Sequence, residues 1–181
     1  MGALAVPSLA FSSLASAIET GVGYQDRDLW VRRVDPRRQT VEYRVIYWHD
    51  GKVDPYNYAR LCYLFRDFES DDLSPISVEL FHLLYGLQQS VLLATGVLLP
   101  IELLSGYRTP IHNSHTEGAS PTSEHLYGRA SDVRFPGIDP LFTARLAMRF
   151  GMGGVGIYPT FTHVDVGRRV YVFNRTSSRR H

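Results

Sequence analysis

Residues 123–135 read SEHLYGRASDVRF, and the prediction of the fold starts from this segment. Gly128 turns a chain easily, so the histidine before it, His125, can fold back toward Asp132. In the strand that follows the turn, alternation places Asp132 on one face and Val133 on the buried face. The spacing alone is not specific, but it predicts that an imidazole and a carboxylate meet beside a strand.

A second segment, residues 161–166 with the sequence FTHVDV, has the alternation of a strand. Its period of two puts His163 and Asp165 side by side on one face. Side chains of these two types share a strand face mostly when they share a proton or an ion. The other interpretation is a buried histidine that is hydrogen-bonded to its neighbouring aspartate for structural reasons alone, and the sequence leaves it open.

Two imidazoles and one carboxylate, from His125, Asp132 and His163, are the ligand set of a catalytic zinc site whose fourth position is left for water. A structural zinc site is usually rich in cysteine, and Cys62 is the only cysteine of this chain. Bound zinc lowers the pKa of its water to about 7, which makes hydroxide available at neutral pH. We therefore expect one Zn2+ per chain.

The connection between residues 105 and 130 is long for a compact domain, and structureless loops of that length usually serve a site. Within it, Arg108 is expected to point into the site, where its guanidinium can hold a substrate carbonyl oxygen or a carboxylate. Two roles are open for Asp165: a general base, or a group that orients His163. Other side chains in this connection can bind a metal ion or form hydrogen bonds, namely His112, Asn113, His115 and Glu124.

The hydrophobic pattern predicts one α+β domain without internal repeats or an interdomain linker. Strands are predicted over residues 29–34, 39–47, 98–104, 131–135, 155–158, 162–166 and 169–173. Helices are predicted over residues 55–68, from a cap at Ser74 and Pro75 to about residue 94, and from Asp139 to just before Gly151.

Composition is that of a globular protein, with 44% hydrophobic and 20% charged residues among 181. A formal net charge of +1 gives no indication of nucleic-acid binding, and the local arginine clusters are interpreted as solvated surface. No stretch is long and apolar enough to span a membrane as a helix.

Residues 1–20 are interpreted as a leader or signal remnant, and residues 21–181 as a single domain. The stretch from Ala3 to Ala17 is uncharged and weakly apolar and ends in Ala-Ser-Ala, like the hydrophobic region and cleavage site of a secretory signal. The alternative is a short N-terminal helix. The first interpretation predicts export to the periplasm or cell envelope.

Four motifs in order resemble the zinc murein endopeptidases: SGYR at 105–108, SEHLYGRASD at 123–132, GGVGIYP at 153–159 and THVDVG at 162–167. These enzymes belong with the D-Ala-D-Ala metallopeptidases, the lysostaphin group and the hedgehog domain. The resemblance is closest to the periplasmic murein endopeptidase branch. It extends upstream through residues 47–67 and covers most of the chain beyond the leader.

The resemblance implies a fold in which a small antiparallel sheet carries the metal site and packs against helices. It also implies hydrolysis of a peptide bond in peptidoglycan cross-links or stem peptides. The sequence leaves the oligomeric state unknown, and a monomer is favoured. The metal ligands that it implies are His125, Asp132 and His163, with Arg108 on the oxyanion or substrate carboxylate. Further substrate contacts are suggested at Arg134, Tyr107, Tyr127 and Tyr158.

One departure from the family concerns the catalytic base. Many relatives have a histidine two positions before the last ligand, where this chain has Phe161, and another catalytic histidine or glutamate usually precedes that ligand. Asp165 is then the first candidate for the base, and Tyr158 for a proton donor or oxyanion contact. The same departure keeps two alternatives open: a catalytically impaired zinc-containing domain that binds peptidoglycan, and a D,D- or L,D-carboxypeptidase.

Overall fold

The computed structural model describes residues 26–33 and 40–175, so the leader predicted over residues 1–20 lies outside the described chain. Four α-helices occur in the described residues: α1 Pro55–Leu64, α2 Val78–Thr95, α3 Pro110–His115 and α4 Pro140–Met148. A 3-10 helix spans Glu124–Tyr127. The strands in the same residues are β1 Arg27–Arg33, β2 Val41–His49, β3 Lys52–Val53, β4 Ile101–Ser105, β5 Ala130–Arg134, β6 Gly154–Ile157, β7 Thr162–Asp165 and β8 Tyr171–Asn174.

The strands form one sheet in the order β3-β2-β1-β4-β5-β7-β6-β8. Its central part, β4-β5-β7-β6, is antiparallel throughout, whereas β1 runs parallel to β4 and β8 parallel to β6. The predicted α+β class is confirmed, and the antiparallel part carries the candidate site. The sheet is wider than expected because alternation identifies a strand without identifying its neighbour.

Helix α2 supplies the main packing surface against the sheet. Its completely buried side chains recur at helical spacing: Leu80, Phe81, Leu84, Leu87 and Val91. Phe81 meets the rings of Tyr47 and Phe65 edge-on, with centroids 5.8 Å and 5.3 Å away. Because aromatic and aliphatic side chains fill this layer closely, the strands beneath the site are held in fixed positions.

The predicted start of α2 at Ser74 and Pro75 is wrong, since Ser77 is the N-cap residue. The segment before it is pinned by other contacts: Ile76 is buried, and its carbonyl accepts a hydrogen bond from the hydroxyl of Tyr58 at 2.9 Å. The amide of Ser77 donates to the carbonyl of Gly128 at 2.9 Å. These tertiary bonds keep the segment out of the helix and tie it to the turn that precedes β5.

Helix α1 ends at Leu64, four residues before the predicted end. The carbonyls of Leu64 and Arg66 accept hydrogen bonds from the buried guanidinium of Arg33, and that of Phe65 accepts from the amide of Tyr107. The connection over residues 105–130 is also less irregular than expected, since it contains α3 and the 3-10 helix. Among the described helices, none is both long and apolar enough to cross a bilayer.

Candidate metal centre

Two neighbouring strands and one turn bring the three expected ligands together. Asp132 on β5 lies directly opposite His163 on β7 in the antiparallel register. His125 lies on the 3-10 helix, which ends at Gly128 with a φ of 63°, a conformation that glycine adopts at no steric cost. A side chain at position 128 would also meet the carbonyl of Pro75 at 2.4 Å. The turn therefore needs glycine, and it folds His125 back toward Asp132 as the sequence predicts.

The ligand atoms face one another within bonding reach of a common point. His125 Nε2 lies 3.3 Å from His163 Nδ1 and 3.4 Å from Asp132 Oδ1, and His163 Nδ1 lies 2.9 Å from Asp132 Oδ1. A tetrahedral zinc ion with bonds of about 2.0–2.1 Å separates its ligand atoms by about 3.3 Å. The three residues fit such an ion, and all of them are buried.

Hydrogen bonds fix which nitrogen of each ring is available. His125 Nδ1 lies 2.6 Å from the carbonyl of Gly106, and His163 Nε2 lies 3.2 Å from Asp165 Oδ2. Both partners only accept, so these nitrogens carry the hydrogens. His125 Nε2 and His163 Nδ1 are left with lone pairs that point at each other and at a carboxylate. A metal ion or a proton between these atoms would satisfy the cluster, and histidines arranged in this way commonly bind metals.

Electrostatics agree with the need for a cation. Burial lowers the pKa of His125. Burial opposes ionisation of Asp132, but the charges and hydrogen bonds of His125 and His163 hold its pKa well below the usual range. Burial also opposes a charge on His163, yet hydrogen bonds to Asp132 and Asp165 raise its pKa to about 9. A proton on His163 and a metal ion at Nδ1 would both compensate the charge of Asp132, so they compete for this position.

Asp165 is completely buried, and each of its oxygens has donors. Oδ1 accepts from the amides of Gly154 at 2.9 Å and Gly167 at 2.8 Å. Oδ2 accepts from the hydroxyl of Tyr171 at 2.8 Å as well as from His163. Although burial opposes ionisation, these bonds lower the pKa of Asp165 to about 2. The geometry is that of a carboxylate that orients a ligand histidine.

Arg108 reaches the centre, as expected, but its contact there is with a ligand. Its Nη2 donates to Asp132 Oδ2, its Nε donates to Ser105 Oγ at 2.8 Å, and its amide donates to the carbonyl of His125 at 3.2 Å. The guanidinium thus holds one oxygen of Asp132 while the other faces the histidines. Sequence reasoning did not identify Ser105, Gly106 or Tyr171 as partners of the site: a local pattern does not show which hydroxyl or carbonyl a side chain will meet, even when, as for Ser105 and Arg108, the two residues are only three positions apart.

Tyr158 lies in the wall of the cleft above the ligands. Its ring stacks on Phe161, with centroids 4.2 Å apart and planes at 13°, and meets Phe173 edge-on at 5.8 Å. Burial and the charge of Asp132 raise the pKa of the Tyr158 hydroxyl, so the phenol is protonated at neutral pH. Within the described residues this hydroxyl makes no hydrogen bond to protein. It remains a candidate donor to a substrate.

The cleft itself has a volume of about 1230 Å³, and the three ligands and Arg108 lie among its lining residues. Segments 116–125 and 167–175 form parts of its wall. Tyr127 lines it as suggested, whereas Tyr107 packs against the core and Arg134 pairs with Glu102 at 2.6 Å. Four other arginines line the cleft: Arg129, Arg168, Arg169 and Arg175.

The other residues of the 105–130 connection do not join the centre. His112 pairs with Asp67, Glu124 pairs with Arg129, and the side chain of Asn113 donates to the carbonyl of Ser120. His115 is exposed.

Comparison with known proteins agrees with the geometry. A family model described as peptidoglycan L,D-endopeptidase MepK (Peptidase_M15_2) matches residues 24–171. Peptidoglycan L,D-endopeptidase MepK of Escherichia coli strain K12 is 34% identical over 115 residues, which cover 60% of this chain and 61% of the relative. A protein named probable peptidoglycan L,D-endopeptidase MepK from Haemophilus influenzae is 32% identical over 114 residues, 60% of each chain.

The chain spans about three fifths of the length of the curated relatives that it matches. The resemblance indicated by the four sequence motifs is confirmed at the level of the family. Since the family model covers more than four fifths of the residues, the chain belongs to the Peptidase_M15_2 family.

Proposed function

We propose that this chain is a zinc-dependent peptidase that hydrolyses peptide bonds in the cross-links or stem peptides of peptidoglycan. The observation that carries the proposal is the convergence of His125 Nε2, Asp132 Oδ1 and His163 Nδ1, within 3.4 Å of one another, beside an open cleft. Relatives named peptidoglycan L,D-endopeptidases support the choice of substrate.

The choice of zinc rests on the donor set and on the open site. Two neutral imidazoles and one carboxylate leave a coordination position free, which is typical of catalytic zinc sites. Zinc bound there would polarise the peptide carbonyl and supply an activated water. Affinity order alone would not select zinc over other divalent ions, whereas imidazole ligands in a tetrahedral arrangement favour it.

Protein groups around the ligands have separate tasks in this proposal. Asp165 holds His163 in the tautomer whose Nδ1 is free, and the carbonyl of Gly106 does the same for His125 Nε2. Arg108 fixes Asp132 and lines the cleft, where a guanidinium can hold the carbonyl oxygen of the scissile bond. Tyr158, protonated at neutral pH, donates a hydrogen bond or a proton to the substrate.

The walls of the cleft suit an acidic peptide. Arginines 129, 168, 169 and 175 line it, and stem peptides carry free carboxylates. Peptidoglycan is then the partner, and the periplasm or cell envelope is the compartment in which the enzyme would meet it. This location agrees with the leader predicted over residues 1–20. A monomer is sufficient, because all of the proposed groups belong to one chain.

Replacement of His163 by alanine tests the proposal. We expect wild-type protein to bind one zinc per chain and to release muropeptides from cross-linked sacculi, and a chelator to stop the release. His163→Ala should lose both properties, whereas His115→Ala, which changes an exposed histidine of α3, should keep both. Zinc is measured by elemental analysis and products by mass spectrometry. Muropeptide release by His163→Ala at the wild-type rate would refute the proposal.

A second candidate function is a zinc-containing domain that binds peptidoglycan without cutting it. Phe161 favours it, because this ring occupies the position of a histidine in many relatives and stacks on Tyr158. The same incubation with sacculi separates the alternatives. New internal cleavage products support an endopeptidase, release of single terminal amino acids indicates a carboxypeptidase, and zinc-dependent binding without products indicates the binding domain.

A further inference from the structure

A second cavity, of about 360 Å³, lies beside the cleft and shares Arg108 with it. Its other lining residues with ionisable side chains are Glu69, in the segment after α1, and His112 of α3. Phe68 and Leu104 add apolar surface. The cavity is therefore lined by a guanidinium, an imidazole and a carboxylate beside apolar side chains, and the reaction proposed above uses only the first of these groups.

His112 is held in place by a buried carboxylate. Its Nδ1 lies 2.9 Å from Oδ1 of Asp67, whose side chain is completely buried. Asp67 also accepts from the amides of Thr109 at 2.6 Å and Glu69 at 2.7 Å. Although burial opposes ionisation, these bonds lower the pKa of Asp67. An ionised Asp67 accepts the hydrogen of Nδ1, so Nε2 of His112 is the nitrogen left for a ligand.

Glu69 and Arg108, which carry opposite charges, each keep polar atoms that can contact a ligand in the cavity. Glu69 Oε1 lies 3.7 Å from His112 Nε2, which is beyond hydrogen-bond distance, and the Glu69 side chain is 55% exposed. Nη1 of Arg108 makes no hydrogen bond within residues 26–33 and 40–175, since the bonds of that side chain come from Nε and Nη2. A lone carboxylate would be repelled by Glu69, and a lone ammonium by Arg108. A ligand that carries both charges on neighbouring atoms would satisfy both residues.

We propose that this cavity binds the zwitterionic end of a diamino acid residue, the carbon that carries both an ammonium and a carboxylate group. Arg108 holds the carboxylate, Nε2 of His112 and the carboxylate of Glu69 accept hydrogens from the ammonium, and the methylene chain lies against Phe68 and Leu104. The inference rests on the proposed function, because a diamino acid of the stem peptide offers such an end when its side-chain amine is not used in a cross-link. The shared Arg108 makes the cavity a specificity subsite next to the scissile bond.

The test compares three forms of one cross-linked muropeptide: with a free diamino acid end, with its carboxylate amidated and with its amine acetylated. We expect wild-type enzyme to prefer the free form by about tenfold or more in kcat/KM, mainly through KM, because hydrogen bonds to charged groups are lost. His112→Phe and Glu69→Gln should each reduce the discrimination against the acetylated form, whereas the discrimination against the amidated form depends on Arg108 and should persist. His115→Phe, on the exposed side of α3, should keep both. Equal rates on all three forms in the wild type, or unchanged preferences in both variants, would overturn the inference.

A binding measurement separates this inference from the proposed function. Zinc-loaded protein is titrated with diaminopimelate, with pimelate, which lacks the amines, and with pentane-1,5-diamine, which lacks the carboxylates, while the imidazole signals of His112 are followed by NMR. Only diaminopimelate should shift them at low concentration, and Glu69→Gln should weaken this binding by about tenfold. If muropeptides are not cut but this pattern appears, the peptidase proposal fails and the subsite stands. Equal binding of pimelate, or no shift with any probe, refutes the subsite.

Discussion

Replacement of Asp165 by asparagine distinguishes the two roles that the sequence leaves open for this residue. The asparagine oxygen can keep the bonds from the amides of Gly154 and Gly167, which places its NH2 group toward His163 Nε2 and the hydroxyl of Tyr171. An amide nitrogen only donates, so Nε2 of His163 must become the acceptor. The ring hydrogen then moves to Nδ1, which is the atom that faces the other two ligands.

The magnitude follows from the loss of one well-oriented ligand atom. Loss of such an orienting partner typically weakens metal binding by about 10–100-fold, or about 1.4–2.7 kcal/mol. We therefore expect Asp165→Asn to bind zinc less tightly by this factor in a competition titration against a chromogenic chelator. At saturating zinc, kcat should recover to within about tenfold of the wild type. A general base raises the rate by a factor of about 10²–10⁴, and this factor is kept because the substitution removes an orienting group and no base.

The opposite pattern would refute this reasoning. If Asp165→Asn binds zinc as tightly as the wild type and yet loses about a thousandfold in kcat at saturating zinc, the carboxylate acts as the base. Asp139→Asn is a matched control. Asp139 caps α4 by accepting from the amide of Leu141 at 2.8 Å and does not line the cleft, and asparagine caps helices equally well. Zinc binding and kcat should both be unchanged in that variant.

Two further substitutions test the support of the site and of the fold. Gly106→Ala would put a methyl group 2.5 Å from the backbone oxygen of Phe65, so it should cost about 1–3 kcal/mol in urea unfolding and also weaken zinc binding through His125. Wild-type stability would contradict this packing. Burial lowers the pKa of His82, whose Nδ1 lies 2.8 Å from the Tyr47 hydroxyl, to about 4. Between pH 6.5 and 4 the unfolded state binds more protons, so acidification should cost about 1–2 kcal/mol of unfolding free energy at this partly exposed ring. Equal pH slopes for wild type and His82→Gln would refute the assignment.

The convergence of the three candidate ligands was predictable because most of it depends on short-range geometry. The period of a strand fixes which side chains share a face, and this places His163 beside Asp165 without knowledge of the fold. A glycine before a strand turns the chain, and this turn brings the side chain of His125 close to that of Asp132. The prediction needed one long-range step, the pairing of β5 with β7, and the shared chemistry of the three side chains supplied it.

The supporting contacts were not predictable, because they join residues that are distant along the chain. Nothing near Arg108 in sequence indicates that its guanidinium bonds to Asp132, 24 residues further on. The wrong start of α2 has the same origin: Ser74 and Pro75 form a good local signal for a helix, but a bond from Ser77 to Gly128 overrides it. Local pattern therefore predicted which side chains converge, whereas the groups that hold them in place required the tertiary structure.

The described residues contain three buried aspartates that each pair with a histidine, and their hydrogen bonds assign them different tasks. Asp67 and Asp165 each accept hydrogens on both oxygens, including backbone amides, so each is a fixed negative charge that orients one ring. Asp132 has a hydrogen donor, Arg108, on Oδ2, while Oδ1 faces two imidazole nitrogens whose rings already donate elsewhere. Either a metal ion or the proton that His163 takes up can lie between Oδ1 and these nitrogens and compensate the charge of Asp132. The partners of the aspartates thus distinguish Asp132, the candidate metal ligand, from the two residues that orient a ring.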